Sequence, residues 1–190
     1  MKNKITSVGI QRKTHFSGKR KIGMDTNIFI KFYDQPYLLG LEASRMFNYK
    51  NLLFTHAICL HEFSKYIKIK EKIDDREAKK KAKLFLRKRN VKVIYPKECF
   101  IPKDDIKLFE KESNKKLREG GKDYLKCHMP DSLILLAFKK WGINKVHSTD
   151  EIVRICAQFL GMDGAALPSF DKAITRALKG NTKYYKKKRH

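Results

Sequence analysis

The sequence predicts an α/β fold: a three-layer α/β/α sandwich with a central parallel sheet. Short β-branched or aliphatic runs recur along the chain, and segments with helical apolar spacing separate them. Strands that alternate with helices in this way form a parallel sheet covered on both faces. The 190 residues suit one domain with extensions, and a hydrophobic share of 42% is enough for a core.

The first strand is expected over Lys21–Asp25, in the stretch KIGMDTNIFI, and it runs directly into a helix from Thr26 to Tyr33. A helix over Tyr37–Phe47 follows, then a strand over Leu52–Thr55 and a helix from about Thr55 to Lys72. Asp75–Arg89 reads as a helix because Ala78, Ala82 and Phe85 keep one apolar side while the other faces are nearly all lysine and arginine. The third strand is Val91–Tyr95, and Pro96 and Pro102 bracket a loop. Residues 103–119 form a highly charged helix with Ile106, Phe109 and Leu117 as its sparse apolar face, closed by Gly120 and Gly121. Pro130 opens an apolar helix, DSLILLAFKKW, that Gly142 ends. Lys145–Ser148 is the last clear strand, and Ile152, Ile155, Cys156 and Phe159 then mark a final helix. The stretch GMDGAALPSF after Leu160 is ambiguous. The resulting division is a basic arm over 1–20, a core domain over 21–170 and a basic tail over 171–190.

Charge is the second strong signal. The net charge is +24, far beyond what solubility requires. Of 44 Lys/Arg, seven precede Asp25 and eight follow Asp171, where there are no acids; residues 25–171 hold 29 against all 20 acids. Such an excess implies a polyanionic partner, with nucleic acid favoured over membrane. Arms of this kind bind phosphates without reading sequence. The expected RNA contacts are Arg12, Lys13, Lys19 and Arg20 in the head, Lys80 and Lys81 in the basic block 76–90, and Lys186, Lys187, Lys188 and Arg189 in the tail, with Tyr184 and Tyr185 placed to stack on unpaired bases. No apolar run approaches the length of a membrane span, and the basic N-terminus lacks the apolar stretch of a signal peptide, so a cytoplasmic location without membrane contact is expected. Cys59, Cys99, Cys127 and Cys156 are widely spaced with no C-x-x-C pair; they read as free thiols in a reducing compartment rather than zinc ligands. No phosphate-binding G-x-x-x-x-G-K-[ST] loop occurs.

Functional residues of open α/β sheets gather beyond the carboxyl ends of the strands. Asp25 ends the first strand, Asp150 follows the last, Glu62 lies on the helix after the second, and Asp131 starts the helix leading into the last. Each has an ordinary account. Asp25 can cap its helix, Asp131 suits a helix start, STDE from Ser148 to Glu151 is a capping-box pattern, and Glu62 can be a solvated helix residue. Together they suggest more. Clustered carboxylates repel one another, and a divalent cation resolves the conflict. Oxygen-only ligands select Mg²⁺ or Mn²⁺, one ion or two, over zinc. An acidic pocket on a strongly basic protein suggests a nuclease: the surface holds the polyanion while the ion lets the pocket accept its phosphate.

The pieces IGMDTNIFI, THAICLHEFSKYI, PDSLILLAFKKWGI and KVHSTDEIVRICAQFL resemble PIN-domain ribonucleases, over roughly residues 21–160. The resemblance implies an α/β/α sandwich and metal-dependent RNA hydrolysis with a preference for single strands. It implies Asp25, Glu62, Asp131 and Asp150 as the acidic metal-site residues, Asn27 as a neutral group orienting them, and Ser148 and Thr149 as hydrogen-bonding support. Members of this family include VapC-like toxins paired with an antitoxin protein and enzymes that mature ribosomal RNA, and many form homodimers. The basic arms tilt the expectation towards structured or ribosomal RNA. Two rivals compete. A PIN-like module could hold RNA without cutting it, although all four acids are present. A phosphatase with an aspartate nucleophile would want a second Asp where Asn27 stands.

Overall fold

The structure, a computed structural model, describes residues 20–35, 46–47 and 50–166. Both basic arms, except Arg20, and most of the helix expected over 37–47 lie outside these residues. So do six of the RNA contacts expected in the tail and, in the head, Arg12, Lys13 and Lys19.

Five strands form one sheet: β1 (Arg20–Met24), β2 (Asn51–His56), β3 (Val91–Ile94), β4 (Lys145–His147) and β5 (Asp163–Ala165). All pair in parallel, in the order β3-β2-β1-β4-β5. The described helices are α1 (Thr26–Asp34), α2 (Ala57–Glu71), α3 (Asp75–Lys88), α4 (Lys103–Glu119), α5 (Asp131–Lys140) and α6 (Glu151–Phe159). The four expected strands thus begin and end within two residues of their expected bounds; β5 was not expected. Arg20, assigned to the arm, instead opens β1 and pairs with Asn51.

Side-chain alternation along the strands divides the core in two. Ile22 and Leu53 face one side, where Ile28, Phe29, Phe63, Ile67, Phe85 and Leu86 of α1, α2 and α3 cover them. Phe54, Ile94 and Val146 face the other, beneath Phe109, Leu117, Leu135, Phe138, Val153 and Cys156 of α4, α5 and α6. This is the expected sandwich. Two glycines permit its closest approaches. A Cβ on Gly23 of β1 would lie 2.6 Å from the Phe138 ring, so α5 sits tightly over that strand. A Cβ on Gly164 would lie 2.2 Å from the Arg154 carbonyl oxygen. That second contact explains β5, which the residues do not announce. It is three residues long, and its centre must be bare for α6 to pass.

All four cysteines are buried and free. Burial, with the nearby Asp25 charge, pushes the Cys59 thiol up to about 12. Among the described residues no helix is long and apolar enough to cross a membrane.

Candidate active site

In the sheet order, β1 lies between β2 on one side and β4 on the other, and the chain departs in opposite directions from this point. Such a switch point opens a crevice beyond the carboxyl ends of the strands. The register brings Met24 level with His147, and the Asp25 N–H donates to the His147 carbonyl at 3.1 Å. Asp25 and Ser148 therefore emerge side by side from adjacent strands, although 123 positions separate them in sequence.

Asp25 is the N-cap of α1 and is 8% exposed. Its Oδ1 accepts the Thr26 N–H at 2.7 Å. Its Oδ2 accepts from Asn27 Nδ2 at 2.9 Å and from the Ser148 hydroxyl at 2.7 Å. The capping account of Asp25 is thus correct but incomplete, because one oxygen serves the helix and the other serves a network across the sheet. Asn27 uses both ends of its amide. Nδ2 donates to Asp25 and, at 3.2 Å, to Ser148 Oγ, while Oδ1 accepts the Thr149 N–H at 3.0 Å. An aspartate here would offer no donor and would set a second charge against Asp25.

Ser148, fully buried, is the hub. Its hydroxyl donates to Asp25 and accepts from Asn27 and, at 2.9 Å, from the Asp150 N–H. This corrects the capping-box expectation. Asp150 is the N-cap of α6, its Oδ1 accepting the Ile152 N–H at 3.1 Å, while Ser148 turns inward. Arg154, which no motif in the sequence singles out, donates from Nη1 to the Ser148 and Thr149 carbonyls at 3.2 and 2.7 Å and so holds the loop that carries Asp150. Only its position one helical turn beyond Asp150 hinted at this.

Glu62 stands on α2, where its Oε2 accepts the Thr26 hydroxyl at 2.5 Å, tying α2 to the start of α1. Thr26 was another unassigned contributor. Asp131 lies in the first turn of α5 and accepts no hydrogen bond among the described residues. Its neighbour Ser132 donates to Glu110 of α4 at 2.6 Å, an anchor that the charge-rich α4 sequence does not single out.

Electrostatics ties the acids together. Burial raises the pKa of Asp25; hydrogen bonds from Ser148 and Thr26 oppose this, while the charges of Glu62 and Asp150 add to it. Asp131 is pushed up to about 6, first by burial and then by the charges of Asp25, Asp150 and Glu62, with His128 acting in the opposite sense. None of the four forms an ion pair with lysine or arginine among the described residues, although the chain carries a large basic excess. Among the described residues the four acids thus share negative charge with no ion-pair partner.

Whether such a pocket suits a divalent ion depends on its donor atoms. Among the described residues, no three His, Cys, Asp or Glu side chains stand ready to hold one ion. Both Asp25 oxygens are engaged, and Glu62 and Asp150 each commit one oxygen. Both Asp131 oxygens and the second oxygens of Glu62 and Asp150 remain without partners among the described residues. The donors are all hard oxygens of like charge, which fits Mg²⁺ or Mn²⁺ chemically. Assembling them around an ion takes side-chain rotation.

Of the two described lysines expected to touch RNA, Lys80 is exposed, whereas Lys81 is paired with Glu71 and, at 3.3 Å, with Glu77.

No family model and no curated protein matches the chain. Among solved structures, a chain in the crystal structure of VapBC2 from Rickettsia felis bound to a DNA fragment from their promoter superposes with a TM-score of 0.46 at 14% identity, over 77% of this chain and 98% of that one.

Proposed function

We propose that this protein is a divalent-metal-dependent endoribonuclease of the PIN-like kind its motifs resemble, hydrolysing RNA phosphodiesters at the Asp25, Glu62, Asp131 and Asp150 crevice. One observation carries most of the weight: at the sheet switch point burial and the charges of the neighbouring acids raise the cost of ionising Asp25 and Asp131, with no lysine or arginine paired to any of the four acids among the described residues. A folded protein retains such an arrangement for a cationic ligand or for chemistry. Mg²⁺ or Mn²⁺ bound there would supply a water acidic enough to ionise at neutral pH and positive charge against the phosphodiester. Asp131, Asp150 and Glu62 offer the free oxygens that would hold the ion. Asp25, fixed by Ser148, Asn27 and Thr26, would anchor the set, and Asn27 would hold α1 against the Asp150 loop without adding charge.

The basic surface would bring the polyanion to the crevice. The large positive charge favours ribosomal or other structured RNA as the substrate. A toxin restrained by an antitoxin protein is the alternative physiological role for the same chemistry.

In-line hydrolysis leaves 5′-phosphate and 3′-hydroxyl ends. Cleavage of single-stranded RNA with Mn²⁺, abolished by EDTA and giving those ends, is the expected result; 2′,3′-cyclic phosphate ends would contradict the mechanism. A second reading, an RNA-binding module that does not cut, is favoured by the lack of a preassembled ion site among the described residues. The two part on one measurement: the nuclease melts at higher temperature as Mn²⁺ is added, and the module does not.

A further inference from the structure

The stretch that leaves α4 and leads to α5 connects the neighbourhoods of Asp150 and Asp131. Gly121, at φ 68°, turns the chain out of α4. Lys122 then lies 2.5 Å from Glu151, the neighbour of Asp150. Further on, Cys127 is fixed to α4 through both backbone groups: its N–H donates to Asn114 Oδ1 at 2.8 Å, and its carbonyl accepts from Asn114 Nδ2 at 3.0 Å. The segment ends at Asp131, where the Ser132 N–H donates to the His128 carbonyl at 3.2 Å. A short, pinned stretch therefore joins the surroundings of two of the four acids.

What this stretch exposes is unusual for its place. Tyr124 is 70% exposed and Met129 is 53% exposed, and Lys126 and His128 are exposed between them. Neither large side chain packs into either half of the core. Lys126 has no ion pair among the described residues. An exposed aromatic ring, an exposed thioether and an ammonium with no ion pair among the described residues, carried within six residues on a stretch anchored at three points, suit a flat apolar ring attached to a phosphate chain. The face of a nucleobase is such a ring, and it is available only when the base is unpaired.

We propose that residues 122–129 form the substrate rim of the crevice, with Tyr124 and Met129 seating one unpaired RNA base close to the bond to be cut and Lys126 holding its backbone. This rests on the nuclease reading for its choice of RNA over another polyanion. A rim of this kind selects unpaired RNA, which the lysines by themselves cannot do because phosphate contacts do not distinguish strandedness.

The test is run in EDTA, so that it does not depend on cutting. Short single-stranded RNA carrying fluorescent aminopurine, and the same strand in duplex form, are titrated with wild type, Tyr124→Ala, Tyr124→Phe and Met129→Ala. Wild type is expected to quench the single strand. Tyr124→Ala is expected to lose that quenching and to bind the single strand about tenfold more weakly, with duplex binding unchanged; Tyr124→Phe retains both properties. The exposed ring makes an unaltered melting temperature the expected folding control. Unchanged quenching in Tyr124→Ala, equal weakening of single strand and duplex, or no single-strand binding by wild type would each overturn the proposal. If Tyr124→Ala loses quenching but wild type cuts nothing with Mn²⁺, the rim stands and the nuclease reading falls. If wild type cuts but quenching is unaffected, the reverse holds.

Discussion

Replacing Asp131 with asparagine should raise the thermal stability of the metal-free protein at neutral pH. Burial and the charges of Asp25, Asp150 and Glu62 hold its carboxyl at about 6, against an ordinary 3.8. A carboxyl raised in this way is protonated in both folded and unfolded chains well below pH 3.8, and there it costs the fold nothing. Above about pH 6 it must ionise in both states, and the folded state bears the whole penalty. The ceiling is about 3 kcal/mol, and solvent screening of a partly exposed group reduces it to about 1–2 kcal/mol. Loss of a negative charge from the first turn of α5 subtracts about 0.3–1 kcal/mol. The net gain is about 1 kcal/mol, or roughly 2–4 °C for a chain of this size. The assay is a pair of melting curves in EDTA at pH 7.5 and pH 4. The asparagine variant should melt higher at the first pH, and most of its advantage should be lost at the second. A variant that melts lower at both values, by the same amount, would show Asp131 to be an ordinary helix-start acid and would refute the reasoning.

Other perturbations follow from the same geometry. Mn²⁺ should raise the melting temperature of wild type, by about 2.7 kcal/mol of stability at a hundred times its dissociation constant, and should leave Asp25→Asn nearly unmoved. Ser148→Ala removes the hydroxyl that serves Asp25, Asn27 and Asp150, and chemical denaturation should show a loss of about 1–3 kcal/mol. Asn27→Asp sets a charge against Asp25 and removes both amide donations; its melting temperature should fall at pH 7.5 and recover part of the difference as acidification removes the repulsion between the two carboxyls. Gly164→Ala forces a Cβ against the Arg154 backbone and should cost about 3 kcal/mol, seen as a lower denaturation midpoint with an unchanged slope.

The parts of the fold legible in the sequence were those with a local signature. Val91 to Ile94, the 103–119 helix and the apolar helix after Pro130 each carry their own periodicity or punctuation, and they fall where expected. The stretch around Asp25 was legible because three polar residues interrupt two apolar runs there. What was hidden depends on contacts across the sheet. β5 has no apolar pattern because α6 needs Gly164 bare. Ser148 sits in a capping-box pattern, yet its hydroxyl is drawn to Asp25, and Asp150 takes the cap. Arg154, Thr26 and Glu110 act through partners distant in sequence or through loop carbonyls, which no spacing rule reports. Lys81 looked free in a run of lysines, and the neighbouring helix supplies Glu71 to pair with it.

The proposed function makes the four acids a working hydrolytic site. Its most direct test is cleavage of end-labelled single-stranded RNA by wild type and Asp131→Asn, side by side, with Mn²⁺ and with EDTA, while binding of both proteins to the same RNA is followed in EDTA. The expected result is cutting by wild type with Mn²⁺ only, none by the variant, and equal binding by both. Cutting that persists in EDTA, or an equally active variant, would contradict it.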